Sequence, residues 1–241
     1  MGAVLRIDEI QHALAVMAHP DDVDFSAAGL VAQLTDAGAQ VTYCLVTDGQ
    51  AGGFDQSIER TTMASIRREE QTKAAAEVGV SELIFLGRMD GGVTFEHELR
   101  HDITRVIRQV RPQIVITHPP EISVVSVYGS HADHVATGQA TWAAVYPDAR
   151  NPFAFPELLT SGMEPWSVDE IWLIHHPSSN VTLDITDQFD RKIRALRCHV
   201  SQHEHPDEME ESVRPWNAAN AQLGGLAEGR LAERFFVADA R

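Results

Sequence analysis

Two short segments carry residue types whose spacing could do chemistry. Ala18-His19-Pro20-Asp21-Asp22 follows an apolar run, and His131-Ala132-Asp133-His134 opens a later Ala- and Thr-rich stretch. His19 and Asp22 are three residues apart, as are His131 and His134, so on a turn entering a helix each pair shares a face. An imidazole nitrogen and a carboxylate oxygen aimed at one point suit a metal cation. They do not suit phosphate, which needs glycines and open backbone N–H groups and which two carboxylates would repel. His19, Asp22 and one histidine of the second segment make a three-ligand set with open positions, the arrangement of catalytic rather than structural zinc. A single carboxylate leaves Zn²⁺ net positive, so bound water deprotonates near neutral pH. Asp133 could hydrogen-bond a neighbouring imidazole and fix its tautomer. His97, His101 and His175, each solitary, read as surface or loop residues, and His118 as a residue that could orient a loop.

These segments need a scaffold that brings them together, and the hydrophobic pattern supplies one. Short apolar runs alternate with amphipathic stretches, the signature of βαβ units and a mostly parallel sheet. Strands are expected at Ala13–Ala18, Val41–Thr47, Glu82–Leu86, Gln113–Thr117, Glu170–His175 and Val181–Ile185. Helices are expected at Ser26–Ala37, Ile58–Val78, Phe95–Val110, His131–Tyr146 and Asp187–His203. Pro147–Trp166 reads as irregular, and Glu204–Arg241 as a weak helix and tail. The candidate polar sites, including the loop Asp48–Asp55 and Asp90-Gly91-Gly92, lie just after strands, where open α/β sheets bind ligands.

The two motifs resemble the LmbE-like, or PIG-L, family of zinc-dependent N-acetylglucosamine deacetylases, which includes enzymes of mycothiol, bacillithiol and glycosylphosphatidylinositol assembly. The likeness extends to TDGQAGG, to Arg67 with Glu70, to LGRMDGG, to KIRALRCHVSQ and to AERFF near the C-terminus. It implies a Rossmann-like three-layer α/β/α fold in one domain, residues 1–241, with residues 147–241 completing the pocket. It implies one zinc per chain, held by His19, Asp22 and His134. Asp21 is implied as general base, and His131 as oxyanion stabiliser or acid with Asp133 behind it. Arg67, Asp90 and Tyr128 are implied to hold the sugar. The chain departs from the family pattern at Val23, where Glu is frequent, and at Ala132, where Pro is usual. The implied reaction releases an acyl group, acetyl first, from an amino-sugar-like small molecule. A larger acyl group within the same chemistry stays open, as does a non-catalytic Rossmann-like ligand-binding module. A serine hydrolase is disfavoured because GxSxG does not occur.

Composition agrees with a small-molecule enzyme. The chain has 241 residues, is 44% hydrophobic and 22% charged, and carries a formal charge of −16. That charge would repel nucleic acid and anionic lipid, so neither is an expected partner. No run reaches the ~18 apolar residues of a membrane span, and no signal-peptide pattern opens the chain, so a cytoplasmic location is expected. Family likeness makes a homo-oligomer an open possibility. Cys44 and Cys198 form no framework and read as buried thiols.

Overall fold

The computed structural model describes residues 4–124 and 127–241. Seven strands form one sheet: β1 (His12–Met17), β2 (Gln40–Thr47), β3 (Glu82–Arg88), β4 (Ile114–Thr117), β5 (Glu170–Ile174), β6 (Val181–Asp184) and β7 (Ala232–Asp239). Their spatial order is β3-β2-β1-β4-β5-β7-β6. The pairs from β3 across to β5 are parallel, whereas β7 runs antiparallel to both β5 and β6.

Helices cover both faces, which explains why β1 reads as an unbroken apolar run rather than an alternation. Ala13, Ala15 and Met17 face one core layer with α1 (Asp22–Asp36) and α2 (Arg60–Glu77). Leu14 and Val16 face the other, with α3 (His97–Val110) and α4 (Ala132–Ala143). A short α5 (Pro156–Thr160) lies in the Pro-rich excursion. The C-terminal third adds α6 (Phe189–Arg197) and α7 (Met209–Leu223). Among the described residues no helix is long and apolar enough to cross a membrane.

The segment read as a weak helix and tail is instead a 15-residue helix and an 8-residue strand seated between β5 and β6. The expected helix over Asp187–His203 also stops earlier, at Arg197. Two charges hid the strand. Glu233, 1% exposed, pairs with Lys192 of α6, fully buried, at 2.7 Å. The Glu233 carboxylate also accepts from the backbone N–H groups of Gly29 and Leu30 at 2.9 and 2.8 Å, while Lys192 Nζ donates to Phe25 O at 2.6 Å. This buried ion pair is thus spliced into the backbone ladder of α1, its carboxylate two turns beyond the first residue, Asp22.

From β1 the chain goes first to β2 and β3 on one side and later crosses to β4 on the other. The C-terminal ends of β1 and β4 therefore flank the point where the winding reverses, the place where such sheets open a crevice. His19 follows β1 and His118 follows β4.

Candidate metal centre

The turn after β1 is shaped backbone first. Asp21 has φ 93°, a conformation that costs a non-glycine residue about 1–3 kcal/mol and that gathers at functional sites. Its backbone N–H donates to Gln71 Oε1 at 2.8 Å, and its Oδ2 accepts from Arg67 Nη2 at 2.9 Å. Arg67, 4% exposed, also donates to Pro20 O and Gly49 O at 2.5 and 2.8 Å. Gly49, at φ +65°, leaves the room that a Cβ would take from the guanidinium. In α1, Asp22 accepts from the His19 backbone N–H at 2.8 Å, which folds its carboxylate back beside the imidazole.

Helix α4 brings the second motif to the same point. His19 Nδ1 lies 3.2 Å from His134 Nε2 and 3.4 Å from Asp22 Oδ2, and His134 Nε2 lies 3.2 Å from Asp22 Oδ1. Donors about 2.0–2.1 Å from a tetrahedral centre are separated by roughly 3.3 Å, so each of these pairwise spacings suits two ligands of one zinc-sized ion, the two imidazoles meeting different oxygens of the Asp22 carboxylate. Close approach of α4 depends on Gly138, where a Cβ would meet His118 O and Pro119 O at 2.5 and 2.6 Å.

Hydrogen bonding distinguishes the nitrogens that could serve a metal from those already committed. His19 Nε2 faces the carboxylates of Asp133 and Asp90, each at 3.3 Å, so its proton belongs there and Nδ1 keeps its lone pair for a cation. His118 Nε2 accepts from Ala18 N at 3.1 Å, which spends the lone pair that faces Asp22. His131 Nδ1 accepts from Asp133 N at 3.2 Å, so the neutral ring carries its proton on Nε2.

Burial lowers the proton affinity of His19, but hydrogen bonds to Asp133, Asp22 and Asp90 outweigh it and push the imidazole up to about 12. Burial raises the Asp21 carboxyl to about 6, with Arg67 opposing and Asp22 reinforcing. Burial also lowers His118 to about 4 and, together with His19 and His134, brings His131 below its ordinary value. Both rings are neutral at pH 7.

His19, Asp21, Arg67, Asp90, His131 and His134 line a cavity of ≈ 340 Å³ beside the cluster. Asp133 is fully buried behind it, and its carboxylate meets His19 rather than His131, also accepting from the backbone N–H groups of Gly91 and Val93 at 2.7 and 3.1 Å. Asp90 accepts from Ala51 N at 2.9 Å. Arg67 directs two hydrogen bonds to the Asp21 turn and one to Gly49 O in the loop after β2. The Tyr128 side chain lies outside the described residues. His97 and His101 sit against Phe155, away from the cluster. Sequence reasoning left three groups without a role: His118, stacked on His134 with ring centroids 4.1 Å apart; His199, 2.9 Å from buried Asp24; and Gln71, which bridges Asp24 and Asp21. For His118 alone a signal existed, since it ends a strand.

Comparisons with known proteins agree with this arrangement. A family model described as GlcNAc-PI de-N-acetylase (PIG-L) matches residues 14–145. The chain is 31% identical over 227 residues to the diacetylchitobiose deacetylase of Thermococcus kodakarensis, covering 94% of this chain and 82% of that protein. It is 33% identical over 201 residues to a probable N-acetyl-alpha-D-glucosaminyl L-malate deacetylase 2 of Bacillus cereus, covering 80% and 84%. Among solved structures, the N,N′-diacetylchitobiose deacetylase of Pyrococcus horikoshii in complex with its inhibitor matches at TM-score 0.88 and 29% identity, covering 97% and 86%.

Proposed function

The chain belongs to the PIG-L family of de-N-acetylases, and on that premise we propose that it hydrolyses the N-acetyl amide of an amino-sugar-containing small molecule with one zinc ion. His19 Nδ1, Asp22 and His134 Nε2 would hold the metal. The observation that carries this reading is the convergence of His19 Nδ1, His134 Nε2 and the two oxygens of the Asp22 carboxylate, at pairwise spacings of 3.2–3.4 Å, beside Asp21 at the wall of a cavity of ≈ 340 Å³. The donor chemistry fits, because three carboxylates crowd one imidazole and leave negative charge that a divalent cation would neutralise. When bound, such a cation supplies a Lewis acid for the amide carbonyl and makes a nearby water easier to deprotonate.

The chain's own groups do the rest. Asp21, raised to about 6, is ionised at neutral pH yet basic enough to take the proton of an attacking water. Arg67 pins its Oδ2, so Oδ1 is the oxygen left to receive that proton. His131, neutral with its proton on Nε2, donates a hydrogen bond to the carbonyl oxygen as charge develops there. Asp21 then returns the proton to the departing nitrogen, and the products are free amine and acetate. Asp90 lines the cavity and would receive sugar hydroxyls, whereas Arg67 would serve by holding the Asp21 turn.

The test pairs metal analysis with an amine-release assay on N-acetylglucosamine and diacetylchitobiose. The purified protein is expected to contain about one zinc per chain, to lose activity to a chelator, and to regain it with zinc. Asp21→Asn is expected to keep the metal while kcat falls roughly 10²–10⁴-fold, the range of a general base. Loss of metal together with activity would refute the division of roles, and metal-free activity would refute the whole reading.

A further inference from the structure

Helix α2 grips the proposed base at two points. Arg67 holds the Asp21 carboxylate, and Gln71, one turn further along the same face, accepts from the Asp21 backbone N–H at 2.8 Å. That N–H belongs to the residue at φ 93°, so the Gln71 bond secures a backbone that a non-glycine residue does not keep unaided. Because an N–H faces it there, the Gln71 amide has its oxygen toward Asp21 and its NH₂ on the other side. The NH₂ donates to Asp24 Oδ2 at 2.8 Å. The same oxygen lies 2.9 Å from His199 Nε2, and since a carboxylate oxygen accepts, the ring donates. The series runs unbroken from the His199 ring N–H through Asp24 and the Gln71 amide to the Asp21 N–H, and its three side chains are fully buried.

His199 belongs to the KIRALRCHVSQ stretch, for which the chemistry above has no use. Its segment is anchored to α2 by other means: the Ser201 N–H and Oγ meet Glu70 Oε1 and Oε2 at 2.7 and 2.8 Å. Among the described residues His199 Nδ1 and Asp24 Oδ1 are buried without a hydrogen bond. Burial of that kind costs free energy, and an apolar side chain of similar size would fill the place without the cost. An apolar side chain could not give Asp24 its second N–H. Without it the carboxylate keeps a single donor in a sealed site, a state it relieves by rotating, and the Gln71 amide rotates with it.

We infer that His199 is a positioning residue for the base: through Asp24 and Gln71 it sets the backbone from which the Asp21 carboxylate projects. The inference rests on the deacetylase reading above. His199 does not line the cavity, so its effect on turnover passes through Asp21 and leaves the groups facing the sugar in place. Arg67 and Gln71 then divide the work on one residue, the first fixing the carboxylate and the second the main chain. A slack main chain lets the carboxylate drift from the water it must deprotonate, which slows the chemical step more than it weakens binding.

The test follows amine release from N-acetylglucosamine and diacetylchitobiose on zinc-loaded protein, with zinc affinity measured beside it. His199→Leu is expected to lower kcat by up to roughly 100-fold, the effect of a misplaced reacting group, with KM and zinc affinity unchanged. Gln71→Met breaks the same series without touching the C-terminal segment and is expected to do the same. His199→Gln, whose amide nitrogen reaches the place of the ring Nε2, is expected to recover most of the rate. The double variant His199→Leu/Gln71→Met is expected to fall no further than the slower single one, because both cut one series. Ile193→Ala, which opens a cavity in the core beneath α6, is the stability control: its urea midpoint should drop while kcat holds. Wild-type kcat in His199→Leu or Gln71→Met, no recovery in His199→Gln, multiplying losses in the double variant, or an equal loss in Ile193→Ala would overturn the inference and leave the deacetylase reading intact. A zinc-loaded wild type that releases amine from neither substrate would overturn both.

Discussion

Gly138 offers a test of whether the site is a metal centre, because it lies on no reacting group. It sits one turn beyond His134 on α4, facing the carbonyl oxygens of His118 and Pro119. The added Cβ of Gly138→Ala would meet them at 2.5 and 2.6 Å. Both neighbours are backbone and cannot rotate away, so α4 or the β4 exit must retreat by about 0.9 Å to reach ordinary contact. His134 moves with α4, whereas His19 and Asp22 stay with β1 and α1. Metal sites keep their distances to about ±0.2 Å, so this displacement exceeds the tolerance several-fold. The expected result is a roughly 10–100-fold loss of zinc affinity, the scale seen when supporting groups of a metal site are disturbed. A stability loss of about 1–3 kcal/mol should accompany it. Zinc affinity is read by competition with a chromogenic chelator, and stability by urea unfolding of the apo protein. Gly29→Ala is the control: its Cβ would lie 2.5 Å from the Ile185 side chain, well along α1 from Asp22. It should lower stability and leave affinity in place. Wild-type zinc affinity in Gly138→Ala would refute the claim that α4 is held in register for His134 to meet His19.

Other outcomes follow from the same contacts. In the acidic range kcat/KM should rise with pH through a limb at or below about 6, since Asp21 must be ionised to act and a bound cation favours that form. Arg67→Met removes the cation that lowers this value and should move the limb to higher pH. Asp133→Asn deprives His19 Nε2 of its buried carboxylate and should weaken zinc binding roughly 10–100-fold, measured by the same chelator competition. Glu233→Gln leaves Lys192 buried without its counter-charge and should cost about 3–5 kcal/mol in urea unfolding. Cys44, fully buried with its thiol pushed up to about 12 by burial, should react with a thiol reagent only after unfolding.

Much of the site was legible because its residues are adjacent in sequence: the spacings within His19–Asp22 and His131–His134 are local, and so is the apolar run that marks β1 as a buried strand. What escaped is what only topology creates. His118 is a solitary histidine in the chain, and nothing in one dimension says that β4 lies beside β1, so its bond to Ala18 N could not be read. The strand β7 was missed because Glu233 and Arg234 look solvated, whereas one is neutralised by Lys192, far earlier in the sequence, and the other is half-buried with its Nε shielded from water. Asp133 was expected near His131 because the two are neighbours in sequence, yet the helix turns its carboxylate toward His19 on the other motif. Sequence proximity located the two halves of the cluster; the partners that orient its imidazoles came from strands and loops that meet only on folding.

The splice at Glu233 has a temporal consequence. The turn at Asp22 appears early during synthesis, but the α1 ladder further along is finished by a carboxylate from β7 and a lysine from α6. A nascent chain that has emerged only as far as α4 already displays His19, Asp22 and His134, yet lacks the groups that bond the middle of α1. The middle of α1 therefore takes its final hydrogen bonds only once β7 has joined the sheet.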